Sequence, residues 1–255
     1  MKNQYFGDQT DYIKYGILRS FSKFGAKLGI HWTLTDDDGS SDGSRTRYLK
    51  SAKEWREYDP EIFDILVERL DAGERKLHLV DELQFIPNAI HCFDKWESNA
   101  SARMRSIESL LDRLPTGSLV FLDPDNGLEV SSARKESRNA SKYVFFDELS
   151  MFWASGHSLL IYQHYPRVQR IPYVLEQLNR LKTALPHMRE AALLTSHVAF
   201  LACIQSEHSH IVEPAIDNIV EHWAPHVGAV QVDGTIKSAS ARPNALISPQ
   251  QELSL

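Results

Sequence analysis

The densest set of reactive side chains lies in the run FLDPDNGLE, where Asp123, Pro124, Asp125 and Asn126 follow four apolar or aromatic positions and Gly127 releases the chain. Two carboxylates and an amide at the end of a buried strand, with Glu129 close by, can receive an amine or help hold a hard cation; the plainer reading is an Asp-Pro turn followed by Asn-Gly. A second run, YFGDQTDYIKYG, carries Asp8, Asp11 and Lys14. Asp11 and Lys14 are three residues apart and share a helix face, near a helix start that favours anions. Read plainly, they are an exposed ion pair worth about 0–1 kcal/mol. In YQHYP, His164 leaves a strand end beside Tyr162, Tyr165 and Pro166. It is placed for general acid–base work, for a metal or for a structural role. The turn DDDGSSDG holds Asp36, Asp37, Asp38 and Asp42 with Gly39 and Gly43. Its glycines do not form GxGxxG, and its four aspartates repel phosphate while tolerating ribose hydroxyls or a positive centre; otherwise it is a solvated loop.

These residues need elements to position them. Ile13, Ile17, Leu18, Phe21 and Phe24 recur at helical spacing over Asp11 to Phe24, with Thr10 or Asp8 as cap. Leu28 to Thr35 then reads as a buried strand. A helix over Pro60 to Leu70, a short strand at Leu77 to Val80, a helix through Met104 to Leu114 and a strand at Ser118 to Leu122 follow. The stretch SSARKESRNASK is expected to be a mobile loop. Ser158 to Gln163 reads as a strand and Pro172 to Leu185 as a helix with proline in its first turn. Ala191 to Thr195 and Val198 to Ile204 read as strands joined by a tight turn, and a last helix lies near Pro214 to Trp223. This alternation predicts an α/β fold, a three-layer Rossmann-like mostly parallel sheet with helices on both faces. Ligands in such sheets bind beyond the carboxyl ends of the strands, which selects the turns after Thr35, Leu122 and Tyr162. One domain over residues 1–237 and a polar, poorly ordered tail over 238–255 are expected.

With 255 residues, 42% of them hydrophobic, the chain can bury a core without staples. Cys92 and Cys203 sit apart in apolar runs and read as reduced core residues. No stretch approaches the roughly 20 apolar residues of a membrane span, and the N-terminal residues lack the apolar segment of a secretory signal, so a cytoplasmic location is expected. A formal charge of −6 argues against broad, non-specific nucleic-acid binding and leaves room for a local basic patch.

Taken together, the motifs resemble class I S-adenosylmethionine-dependent methyltransferases, in particular the branch of RlmJ-type rRNA adenine-N6 methyltransferases and three-Cys-motif partner proteins. In that branch a Gly-Asn-x-x-Asp-x-x-Lys-His helix precedes the first strand; GDQTDYIKY matches at Gly7, Asp11 and Lys14, with Asp8 for the asparagine and Tyr15 for the histidine. The resemblance implies a cofactor loop at Thr35, Asp36, Gly39, Asp42 and Gly43, and a DPPY-type motif at Asp123 to Asn126. His164-Tyr165-Pro166 stands for its Trp-Tyr-Pro-like segment. The motif's acidic side chain and proline carbonyl would hold an exocyclic amine in line with the donor methyl, which is catalysis by orientation. Asn126 stands where the family has its stacking aromatic, so Tyr5, Phe6, Tyr162 or Tyr165 would have to substitute.

Three readings follow. The first is an S-adenosylmethionine-dependent methyltransferase acting on a base of RNA or DNA or another planar amine, with Lys14 pairing the donor carboxylate. The second is a Mg²⁺- or Mn²⁺-dependent nuclease or phosphodiesterase using Asp8, Asp11, Asp123, Asp125, Glu129 and His164. The third is a non-catalytic binding module on the same fold.

Overall fold

The computed structural model describes residues 1–37, 39–231 and 236–237; Asp38 and the predicted tail, 238–255, lie outside the described residues. Helix α1 (Gln9–Lys23) leads into strand β1 (Leu28–His31), followed by α2 (Ala52–Trp55), α3 (Pro60–Asp71), α4 (Leu79–Glu82) and β2 (Ile90–Cys92). Then come α5 (Ala100–Leu111), β3 (Leu119–Leu122), β4 (Gly127–Leu128), β5 (Tyr143–Val144), α6 (Phe146–Ala154) and β6 (Ser158–His164). The chain continues through α7 (Arg170–Ala184), β7 (Arg189–Leu194), β8 (Val198–Ile204), α8 (Ser209–His222), β9 (Gly228–Gln231) and β10 (Ile236–Lys237).

Eight strands form one sheet in the order β10-β9-β7-β8-β6-β3-β1-β2. The β2, β1, β3 and β6 strands pair parallel; β8 pairs antiparallel with both β6 and β7, and β9 antiparallel with β7 and β10. Most strands therefore point one way, and the fold is the expected Rossmann-like three-layer α/β arrangement. Alternate strand residues feed two cores: Leu119, Phe121, Leu160 and Tyr162 face one side, and Val120, Leu122, Leu159 and Ile161 the other. Helices α1, α3 and α8 pack together on the first side, α5, α6 and α7 on the second. Gly16 allows the α1–α8 approach, since a Cβ there would lie 1.9 Å from the Trp223 ring. Helix α1 buries Ile13, Ile17, Leu18 and Phe21, each worth about 1.5–3 kcal/mol. Among the described residues no helix is long and apolar enough to cross a membrane.

Several local expectations are corrected. Leu77 to Val80 is not a strand: Leu77 lies in a turn and Val80 in α4, and the two, three apart, are both fully buried. The edge strand is instead Ile90–Cys92, paired with β1. The predicted strand over Leu28 to Thr35 stops at His31, because Thr33 adopts a left-handed backbone (φ 42°). The polar excursion is fastened at several points: β4 pairs with β5, Glu136 N–H donates to Ser98, and the Glu136 carboxylate receives the Ala100 amide at 2.8 Å.

Candidate active site

Strand β1 leads outward to β2 on one side, while β3 lies on its other side, so the strand order reverses between β1 and β3. A crevice opens at the carboxyl ends of β1, β3 and β6, where such sheets bind ligands. Helix α1 starts beneath it. Asp8 caps the helix, accepting from Thr10 N at 2.9 Å. The same carboxylate takes the Arg45 backbone N–H at 3.1 Å and its guanidinium at 3.0 Å. One turn on, Lys14 Nζ donates to Asp11 Oδ1 and Asp123 Oδ2, both at 2.9 Å, and lies 4.5 Å from the centre of the Tyr162 ring. Tyr15 O–H donates to the second Asp11 oxygen at 3.2 Å.

Lys14, Asp11 and Asp123 are almost inaccessible, at 1%, 3% and 2% exposure. A buried charge persists only when paired. One ammonium here serves two carboxylates. Burial, opposed by Lys14 and reinforced by Asp123, pushes the Asp11 carboxyl up to about 6. For Lys14, burial works to lower the pKa, but Asp11 and Asp123 together outweigh it and hold the ammonium protonated. Burial likewise raises the Tyr162 phenol, against the Lys14 charge.

The DPDNG turn is held from two sides. Asp125 receives the α-ammonium of Met1 at 2.9 Å and the Thr35 hydroxyl at 3.0 Å. Although burial raises it, these two hold its carboxyl below the ordinary value. The Thr33 hydroxyl donates to the Asp123 carbonyl. Thr33 N–H donates to His31 Nδ1 at 3.0 Å, leaving Nε2–H for Ser106 Oγ at 2.8 Å, and Ser106 donates to Asp94 at 2.7 Å. Burial depresses His31 to about 3, so this relay runs through a neutral imidazole. From β6, the Gln163 amide accepts from Leu128 N at 2.8 Å and donates to the Asn126 carbonyl at 3.1 Å. Gly127 (φ 118°) is required there, because a Cβ would stand 2.3 Å from Gln163 Oε1.

Above this floor lies a cavity of about 440 Å³. Of the residues singled out by sequence, Asp8, Asp11, Lys14, Asp123, Pro124 and Asp125 line it. So do Asp42, Gly43 and His164, with Tyr5, Tyr162 and Tyr165 as aromatic walls. The His164 ring is solvent-exposed at the mouth, where partial desolvation and then the Lys14 charge lower its pKa to about 4, leaving it neutral at pH 7. A comparison with protein-family models and with curated proteins finds no match to this chain. Geometry and chemistry alone therefore carry the reading of the site.

Other expected residues sit outside the cavity lining. Thr35 acts from behind, through Asp125, and Asn126 through its backbone, which receives His164 N–H at 3.2 Å. Asp36 turns to solvent, 81% exposed, and pairs with Lys95 at 2.7 Å. Gly39 faces open space, and Asp37 receives Gln4 N at 3.2 Å. Glu129 accepts from Phe146 N and is no part of the site. Sequence reasoning missed Arg45, His197, Ser41 and Ser44, all of which line the cavity. The expected hairpin of β7 and β8 held a signal for His197: an antiparallel return brings its turn to the edge where β6 ends, and His164 pairs with Val198.

Asp11 and Asp123 pair with Lys14, Asp8 with Arg45 and Asp125 with the Met1 α-ammonium. Among the described residues no group of three or more His, Cys, Asp or Glu side chains forms a metal-holding set. The donor set does not fit Mg²⁺ or Mn²⁺, which take several oxygen ligands free to coordinate.

Proposed function

We propose that this cavity binds an S-adenosylmethionine-type donor and supports methyl transfer to the nitrogen of a planar amine, such as a base of RNA or DNA. The observation that carries the reading is the position of Asp123-Pro124 at the reversal of strand order, on the floor of a carboxylate-rich, tyrosine-walled cavity. A volume of about 440 Å³ falls in the range of small-molecule sites. A bound donor would supply an electrophilic methyl on a cationic sulfonium, a charge suited to acidic walls and tyrosine faces.

In this reading the protein's contribution is placement. The Asp123 carboxylate is fixed by Lys14 at 2.9 Å and its carbonyl by Thr33, so acceptors on this turn are pre-set for an amine. Tyr162 and Tyr165 offer stacking surface in place of the aromatic that Asn126 replaces. Neutral His164 at the mouth can accept the proton that an aminium product must shed. Lys14, held by two carboxylates, acts as the clamp of Asp11 and Asp123; pairing with a donor carboxylate is not its role.

Isothermal titration with S-adenosylmethionine and S-adenosylhomocysteine tests this. Micromolar binding, weakened at least tenfold in Tyr162→Ala with the fold intact by circular dichroism, is the expected result. No heat at millimolar ligand from folded wild-type protein would rule the reading out.

A further inference from the structure

The cavity lining carries both signs of charge. Tyr5, Asp42 and Asp125 belong to it. After burial, the fields of Asp125 and Asp42 help raise the Tyr5 phenol, with Lys2 opposing them. The lining also includes Arg45, His164 and His197, the Arg45 charge reaching both imidazoles, while Arg170 lies 5.3 Å from the centre of the Tyr165 ring. Burial first, and then Arg45 and Arg170, lower the His197 imidazole; Asp8 opposes them.

Arg45 is built into place. Its backbone carbonyl receives Gln9 N–H at 3.0 Å, Asp8 takes its Nε and Nη2 at 3.3 and 3.0 Å, and Nη2 also donates to Thr10 Oγ1. The guanidinium is thus pinned along one edge at little further entropic cost. Its Nη1 pairs with no described residue, and the side chain is 45% exposed at the cavity. Preceding it, Gly43 holds a left-handed backbone (φ 78°), where a Cβ would lie 2.4 Å from the Gln4 carbonyl. The turn at 41–45 is therefore seated against the N-terminal segment. A planar guanidinium fork beside two neutral imidazoles is matched to an oxyanion.

We infer that Arg45, with His164 and His197, forms an oxyanion subsite at the cavity mouth, so that the cavity takes a dipolar ligand with its carboxylate or phosphate on Arg45 and its cationic or amine end toward Asp42 and Asp125. The subsite stands on this geometry; only its carboxylate form rests on the methyl-donor reading, where it would seat the carboxylate that the clamped Lys14 does not receive.

Three probes that share a nucleoside separate the outcomes: S-adenosylhomocysteine, which carries a carboxylate; adenosine monophosphate, which carries a phosphate; and methylthioadenosine, which carries neither. Wild-type protein is expected to bind at least one anionic probe tenfold or more tighter than methylthioadenosine. Arg45→Met should erase that preference without weakening methylthioadenosine. Because Arg45→Met also uncovers Asp8, His197→Ala provides a second variant that leaves the cap intact, and a two- to fivefold loss of the same preference is expected. A preference for S-adenosylhomocysteine assigns the carboxylate, and one for adenosine monophosphate the phosphate. The subsite is overturned if wild type binds all three probes alike or none, or if its preference survives both variants. If S-adenosylhomocysteine binds wild type and Arg45→Met equally and adenosine monophosphate shows no Arg45-dependent preference, the subsite fails and the donor reading stands. Arg45-dependent phosphate binding without any S-adenosylhomocysteine binding gives the reverse.

Discussion

Lys14 and Arg103 are both fully buried cations, each 1% exposed, on opposite faces of the same sheet. Arg103 is closed off. Its Nε and Nη2 grip Glu148 at 2.6 and 2.7 Å, its remaining donors reach the carbonyls of Glu97, Ala140 and Tyr143, and its plane lies 3.9 Å from the centre of Trp96. Every donor is used, and Lys135 adds a second cation 3.7 Å from Glu148, so the carboxylate does not lack counter-charge and the cluster fastens α5, α6 and the excursion after β4. Lys14 is short of balance, one ammonium for two carboxylates, and its cluster opens into the cavity. A buried cation whose donors and counter-charges are all used belongs to the scaffold; one that leaves charge uncompensated beside a cavity marks a candidate site.

The largest expected effect is Arg103→Met, which strips the buried Glu148 carboxylate of its two guanidinium bonds, leaving it to Lys135 at 3.7 Å, and removes a donor from the carbonyls of Glu97, Ala140 and Tyr143. A loss of about 3–5 kcal/mol in urea unfolding is expected. Lys14→Met should cost less, about 2 kcal/mol near neutral pH, because Asp11 can take up a proton when its counter-charge goes. That cost should shrink at pH 5. Equal and pH-independent losses in the two variants would show that the two buried cations are held alike.

The Asp11 carboxyl sharpens it further. Its folded value, about 6, lies above the unfolded 3.8, so between these values the native state binds more protons than the unfolded one. Asp11 therefore contributes stability that is full below about pH 4 and is lost as pH rises through 6. Asp11→Asn should flatten that part of the stability–pH curve, by up to about 3 kcal/mol from the size of the shift. An unchanged slope in unfolding experiments at pH 4, 5, 6 and 7 would show that the carboxyl is not raised. The smallest effect belongs to His164→Asn. The ring is exposed and its backbone bond is retained, so stability should stay within about 0.5 kcal/mol of wild type while ligand affinity changes.

How far the sequence reaches depends on the range of each interaction. Asp8, Asp11 and Lys14 were legible because capping and i,i+3 spacing are local rules, and the DPDNG turn because a strand end and a glycine lie within one run. The Lys14–Asp123 bond joins residues 109 apart and follows only once β1 and β3 are neighbours. Asp36 and Asp42 looked alike in one acidic turn, yet the first pairs outward with Lys95 and the second faces the cavity. Spacing alone holds no sign of that difference. Strand β2 and helix α6 were missed for other reasons: three residues are too few to show a period of two, and in FDELSMFWA apolar residues surround the helix too evenly to reveal one face.

Strand β8 comes after β7 in the chain yet fills the gap between β6 and β7 in the sheet. During synthesis, then, the middle of the sheet is the last part of this region to be laid down, and until Val198–Ile204 arrives both neighbours present open edges. A chain stopped before His197 would have neither the closing strand nor the His197 part of the cavity lining. A nascent or truncated chain should therefore meet chaperones and other unpaired strands before the cavity is complete.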